Sequence, residues 1–147
     1  MTTVSEWPRI ELDSVPRLEM AKELADKVYQ SCRLEDLETE EAFARMYELG
    51  RFDLKEDKFV DSSLLGLLTT NLEKDNTFNI RIDCSDERRN HIISHEIGHS
   101  FFCYRGDKRP RRIEREFSYS DYEKEEEFCN EFASQLLKLI QKNDNRD

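Results

Sequence analysis

The chain of 147 residues has the length of one ordinary domain, enough to bury a core without disulfide or metal staples. Its 37% hydrophobic residues, nine Phe and five Tyr among them, exclude a disordered tail, while 38% charged residues predict a heavily solvated surface. A formal net charge of -10 disfavours direct binding to nucleic acid or to an anionic membrane, because the summed field repels phosphate.

Residues 1–13, with Trp7-Pro8, read as an extended lead-in that packs an aromatic on the domain. From Val15 to Cys32 the apolar positions Val15, Leu18, Ala21, Leu24, Ala25, Val28 and Tyr29 recur at three and four, which predicts an amphipathic helix behind Ser14 and Pro16. A second helix is expected from Glu40 to Leu49, starting after Thr39 and stopping at Gly50, with Ala42, Phe43, Met46 and Tyr47 on one side. Arg51 to Asp61 is charged and irregular and reads as a connection. Leu64 to Leu72 and Thr77 to Asp83 flank the turn-forming tetrad Glu73-Lys74-Asp75-Asn76, so a β-hairpin is expected. In its second strand Phe78, Ile80 and Ile82 alternate with Asn79, Arg81 and Asp83, giving one buried and one polar face.

A further helix is predicted from Glu87 to Cys103, followed by a charged loop from Tyr104 to Tyr122. Within that loop Arg109 to Glu116 is the basic cluster, and its glutamates dilute it into local ion pairs. The last helix, Lys124 to Gln141, places Phe128, Cys129, Phe132, Ala133, Leu136 and Ile140 on one face, and residues 142–147 read as a flexible tail. The sum is a single α+β domain over residues 1–147. Cys32, Cys84, Cys103 and Cys129 lie far apart without CxxC spacing and read as small core residues. No secretory signal or apolar run of membrane-spanning length is present, so a reduced cytoplasmic protein without a membrane role is expected.

All three histidines fall in the stretch Arg88 to Phe102, and two of them stand in His95-Glu96-Ile97-Gly98-His99, an HExxH pattern. Four residues apart on a helix, His95 and His99 lie on one side about 6 Å apart along the axis, so both can reach one ion. Zinc accepts imidazole nitrogen, and catalytic sites use three protein ligands with one position left for water. Glu96, one residue along, is placed to take a proton from that water without being a ligand. Gly98 inside a helix costs about 1 kcal/mol relative to alanine, which suggests that another segment approaches closely there.

His91 continues the row but lies about 12 Å from His99, too far to share an ion with it. It reads as a polar helix position. The third ligand must then be a carboxylate or thiolate from elsewhere, and the start of the last helix supplies candidates. At 100° per residue Glu125 projects within the apolar arc, Glu126 on its edge beside Asn130, and Glu127 toward solvent. Helical phase leaves Glu125 and Glu126 competing.

HEIGH followed by Glu126-x-x-x-Asn130-x-Phe132-Ala133-x-x-Leu136-Leu137 resembles the ImmA/IrrE family of zinc-dependent endopeptidases, over roughly Leu64 to Ile140. The resemblance implies a zincin-like fold and one zinc ion per chain held by His95, His99 and Glu126, with Glu96 as the catalytic base. It also implies a protein substrate, by the habit of the family a DNA-binding transcriptional repressor. Zincins lay substrate along an edge strand beside the motif helix, which by chain order points to Thr77 to Asp83. Tyr104, Tyr119, Tyr122 and the loop arginines are candidates for stabilising an oxyanion. The competing reading is a zincin-fold binding module that engages a regulator without cleaving it.

Overall fold

The computed structural model describes residues 4–103 and 118–144. Tyr104 and the basic cluster from Arg109 to Glu116 lie outside the described residues. The elements in order are α1 (Met20–Ser31), α2 (Thr39–Gly50), β1 (Phe52–Glu56), β2 (Gly66–Thr70), β3 (Phe78–Ile82), α3 (Arg89–His99), a 3-10 turn (Ser100–Phe102) and α4 (Tyr119–Asp144). This is the expected α+β class.

The sheet has the order β1-β3-β2. The hairpin is present, β2 running antiparallel to β3, with Asn71 Oδ1 accepting the Glu73 and Lys74 backbone N–H groups at 2.9 and 3.1 Å to shape the turn. The region expected to be an irregular connection contains β1, which pairs parallel with β3 from Phe52 opposite Phe78 to Glu56 opposite Ile82. Only Phe52 and Leu54 alternate there, among Asp53, Lys55 and Glu56. Tertiary pairing rather than local pattern makes this segment a strand. Because β1 covers its other side, β3 is the central strand and cannot be the open edge expected of it; that edge belongs to β2.

Phe78, Ile80 and Ile82 are buried on one face of β3 as expected. The same face carries Phe52 and Leu54 of β1 and rests on α3, which also packs against α4. The motif helix therefore lies between the sheet and α4, and α1 packs along α4. The lead-in is tied down by Trp7, stacked on Phe101 at 5.6 Å and edge-on to Phe52 at 5.4 Å, and by the Leu12 N–H donating to Phe101 O at 2.9 Å.

Element ends differ from expectation for identifiable reasons. Helix α1 begins at Met20, not at Val15; Val15 packs on the core from the lead-in, and Leu18 is exposed. The stop after α2 falls at Gly50 as expected, with Arg51 taking the left-handed conformation at φ 57°. Thr39 opens α2, its backbone N–H and hydroxyl both donating to the Asp144 carboxylate. Helix α3 tightens into the 3-10 turn after His99 instead of running on to Cys103.

Helix α4 starts five residues before Lys124, because Ser118 and Asp121 cap each other reciprocally: the Asp121 N–H donates to Ser118 Oγ and the Ser118 N–H to Asp121 Oδ2, each at 3.1 Å. At its other end residues 142–144, read as part of a flexible tail, are helical. Asn143 is buried, donating to Leu34 O at 2.9 Å and Leu37 O at 3.0 Å and accepting from the Tyr29 hydroxyl at 3.1 Å. A polar residue there satisfies the carbonyls of the α1–α2 connection. No helix among the described residues is long and apolar enough to cross a membrane.

Strand β2 approaches α3 closely at Gly66, where a Cβ would lie 2.5 Å from Ile92 Cγ2. Gly66→Ala should therefore destabilise the fold by about 1–3 kcal/mol through overpacking. In urea denaturation, Gly66→Ala combined with Ile92→Ala should lose less than the sum of the two single losses; strict additivity would contradict the contact.

Candidate metal centre

Helix α3 carries His95 and Glu96 on its buried stretch and the half-buried His99 at its end, and α4 brings Glu125 and Glu126 across from it. The approach is possible because Gly98 faces α4. A Cβ on Gly98 would stand 3.1 Å from Phe132 Cδ2 and 3.2 Å from Cys129 Sγ, so the close approach expected at this glycine is made by α4.

His95 Nε2 and His99 Nε2 lie 3.0 Å apart, and the Glu126 carboxylate spans both, Oε2 at 3.2 Å from His95 Nε2 and Oε1 at 2.7 Å from His99 Nε2. The rings meet nearly edge to face, with centroids 4.7 Å apart and planes at 79°. Among the described residues these three form the one group of at least three potential ligands, their donor atoms all within 4.8 Å of one another. Bond lengths of about 2.0–2.1 Å to a tetrahedral zinc correspond to donor separations of roughly 3.3 Å. The observed 2.7, 3.0 and 3.2 Å fall within a small relaxation of that. Donor chemistry and spacing both fit a divalent ion.

The competition between Glu125 and Glu126 is resolved by the rotation of α4. Glu126 faces the two Nε2 atoms, whereas Glu125 is fully buried on the opposite side of the His99 ring, its Oε2 at 2.6 Å from Nδ1. His91, half-buried on α3, belongs to no donor group. Cys32 and Cys129 are buried core residues as expected, while Cys84 and Cys103 are half-buried; none of the four is in a disulfide. Burial pushes the Cys32 thiol up to about 12.

A cleft of about 220 Å³ opens over this group, with Leu64, Gly66, Leu67 and Leu68 on one wall and Cys103 and Tyr122 elsewhere on its lining. Cavities of about 700 and 680 Å³ lie elsewhere and contain none of the imidazole or carboxylate groups of the centre, so chemistry and not size marks the cleft. Tyr122, though exposed, lines the cleft and is the oxyanion candidate there; Tyr119 is more exposed, does not line the cleft, and stacks on Tyr122 with centroids 6.5 Å apart. Sequence reasoning missed the wall formed by β2, where Gly66 lies against Glu96. Nothing in the local pattern of Leu64 to Thr70 signals which helix it will face.

The electrostatics favour a cation. Glu96 is nearly buried, and desolvation is the largest influence raising its carboxyl above the ordinary range; the neighbouring imidazoles oppose it. At Glu126 burial also raises the pKa, but hydrogen bonds from His95 and His99 outweigh it and hold the carboxyl well below its usual value. At His99 burial disfavours the charged ring, yet Cys129, Glu125 and Glu126 together outweigh burial and hold it well above an ordinary imidazole. Three carboxylates thus converge on two imidazoles.

No protein-family model matches this chain, and no curated protein or solved structure matches it significantly.

In the metal-free protein the raised His99 contributes stability that is complete below its ordinary value of 6.5 and is lost as pH rises through the higher folded value. The depressed Glu126 contributes stability that is complete above its ordinary value of 4.5 and is lost as pH falls. This pair is therefore expected to stabilise metal-free protein most between those two values and to weaken toward alkaline pH. Zinc needs a deprotonated His99, so the stabilisation it adds should grow over the same alkaline range. Thermal melts of chelator-treated and zinc-supplemented protein check both signs; zinc stabilisation that shrinks with rising pH would contradict them.

Proposed function

We propose that this chain is a zinc-dependent endopeptidase of zincin-like fold, similar to the ImmA/IrrE family, that hydrolyses a peptide bond in a protein substrate. The observation that carries this reading is the convergence of His95 and His99 of α3 with Glu126 of α4, with the buried Glu96 between the ligands in sequence and on the same cleft. His95 Nε2, His99 Nε2 and a Glu126 oxygen would hold one zinc ion. When bound, zinc supplies Lewis acidity that polarises a carbonyl and lowers the pKa of water toward neutrality.

Glu96 acts as the general base, accepting a proton from water and passing it to the departing amine nitrogen. Its raised pKa suits both halves of that transfer, since a carboxyl nearer neutrality both takes and returns a proton. Tyr122, which lines the cleft, would be the donor to a developing oxyanion.

Substrate alignment falls to the open edge of β2. Asn71 N donates to Thr77 O at 2.9 Å and Asp83 N to Leu65 O at 2.8 Å, so the odd-numbered residues bond to β3. Antiparallel alternation leaves the main-chain groups of Gly66, Leu68 and Thr70 facing outward. An extended peptide can add to this edge and run past Glu96. By the resemblance the substrate is a DNA-binding transcriptional repressor, and four cysteines outside any disulfide suit a reducing cytoplasm.

The test is digestion of a proteome-derived peptide library by zinc-loaded wild type and Glu96→Gln, read by mass spectrometry of new termini. Wild type should cut, and Glu96→Gln should bind the same zinc with cleavage lowered by about 10²–10⁴-fold. Equal cleavage by both would remove Glu96 as base. Zinc binding without cleavage by either, extended to co-expressed repressors, would favour the non-catalytic binding module.

A further inference from the structure

The buried Glu125 has no role in the steps above, yet it is the most deeply placed carboxylate at the centre, with no exposed surface. We propose that Glu125 is a positioning residue that fixes the orientation and proton placement of His99, making His99 the anchor ligand of the metal. This rests on the reading that His95, His99 and Glu126 bind the ion.

The geometry is a bracket. Consecutive helical residues project about 100° apart, so Glu125 and Glu126 can reach opposite sides of one ring. Glu125 Oε2 stands 2.6 Å from Nδ1, and Glu126 Oε1 stands 2.7 Å from Nε2. A ring that ligates through Nε2 keeps its one proton on Nδ1, and Glu125 Oε2 stands where it can accept that hydrogen bond. Nε2 then faces the side where His95 Nε2 and Glu126 converge. Cys129, one turn beyond Glu125, packs against Gly98 and sets the helix separation at which the bracket closes.

The two imidazoles differ in this respect. Among the described residues His95 Nδ1 is buried without a hydrogen-bond partner. Its ring is therefore held by packing and by its contacts through Nε2, whereas both His99 nitrogens are engaged. Removing a carboxylate that orients a ligating histidine weakens metal affinity by about 10–100-fold. A carboxamide keeps an acceptor oxygen and should recover part of that loss.

Two measurements test this on the full chain. Zinc affinity is read by competition with a chromophoric chelator for wild type, Glu125→Ala and Glu125→Gln, each checked for folding by circular dichroism. The Nδ1 proton of His99 is followed by NMR of 15N-histidine-labelled protein, with and without zinc. Expected are a loss of about 10–100-fold for Glu125→Ala, a smaller loss for Glu125→Gln, and a ring proton slow to exchange in wild type but fast in Glu125→Ala. A folded Glu125→Ala variant with wild-type zinc affinity overturns the proposal; if that variant does not fold, wild-type affinity in Glu125→Gln does the same. Loss of all zinc in Glu125→Gln, with zinc retained in Glu126→Ala, would make Glu125 the ligand and also overturn it. A wild type that binds no zinc refutes the metal reading, and the ring-proton exchange still decides whether Glu125 fixes His99. A zinc-binding chain that cuts no peptide refutes the peptidase reading and leaves the affinity comparison valid.

Discussion

The structure turns on the contact between α3 and α4 at Gly98. Two histidines one helical turn apart are half a metal site; the rest must come from a second element close enough to place a short side chain between them. Gly98 supplies the room, with Cys129 and Phe132 of α4 resting where a Cβ would be. At that separation Glu126 spans both Nε2 atoms and Glu125 reaches the far side of the same ring. The sheet is constrained from the other side: β2 can cover the motif helix because Gly66 lets it lie against Ile92 and Glu96. Two glycines thus set the distances from α3 to its neighbours, and the cleft lies between those neighbours.

The centre is built at an electrostatic cost. Glu96 and Glu125 are almost or wholly removed from water, and an unpaired buried charge is far more expensive than an exposed one. The imidazoles offset part of this, most directly through His99, which sits between two carboxylates. A divalent ion would offset more. A fold that gathers anions in this way would gain stability from a bound cation, and metal affinity and folding would then be linked in one free energy. The surface, with its net charge of -10, plays no part in that local balance but disfavours nucleic acid as a direct partner.

Much of this was legible in the sequence because it depends on local periodicity. The spacing of His95 and His99 fixes their common face, the alternation of Phe78, Ile80 and Ile82 fixes the buried face of β3, and the cost of a helical glycine pointed to close approach at Gly98. Whatever depends on the rotation or partner of an element was not legible. Helical phase alone could not separate Glu125 from Glu126, since the choice lies in how α4 turns about its axis when Phe128, Phe132 and Leu136 enter the core. Strand β1 escaped notice because two alternating apolar residues are too few, and without it β3 looked like the edge. The carboxyl-terminal end of α4 was misjudged because Asn143 and Asp144 read as polar tail residues, although they satisfy backbone groups of the α1–α2 connection and the start of α2.

The most direct measurement is elemental analysis of zinc in protein purified without chelators or a metal-binding tag, comparing wild type with Glu126→Ala. About one zinc per folded wild-type chain, lost in a Glu126→Ala variant that retains its fold, is the result predicted by a centre of His95, His99 and Glu126. A wild type without metal, or a Glu126→Ala variant that keeps it at full occupancy and affinity, would contradict that centre.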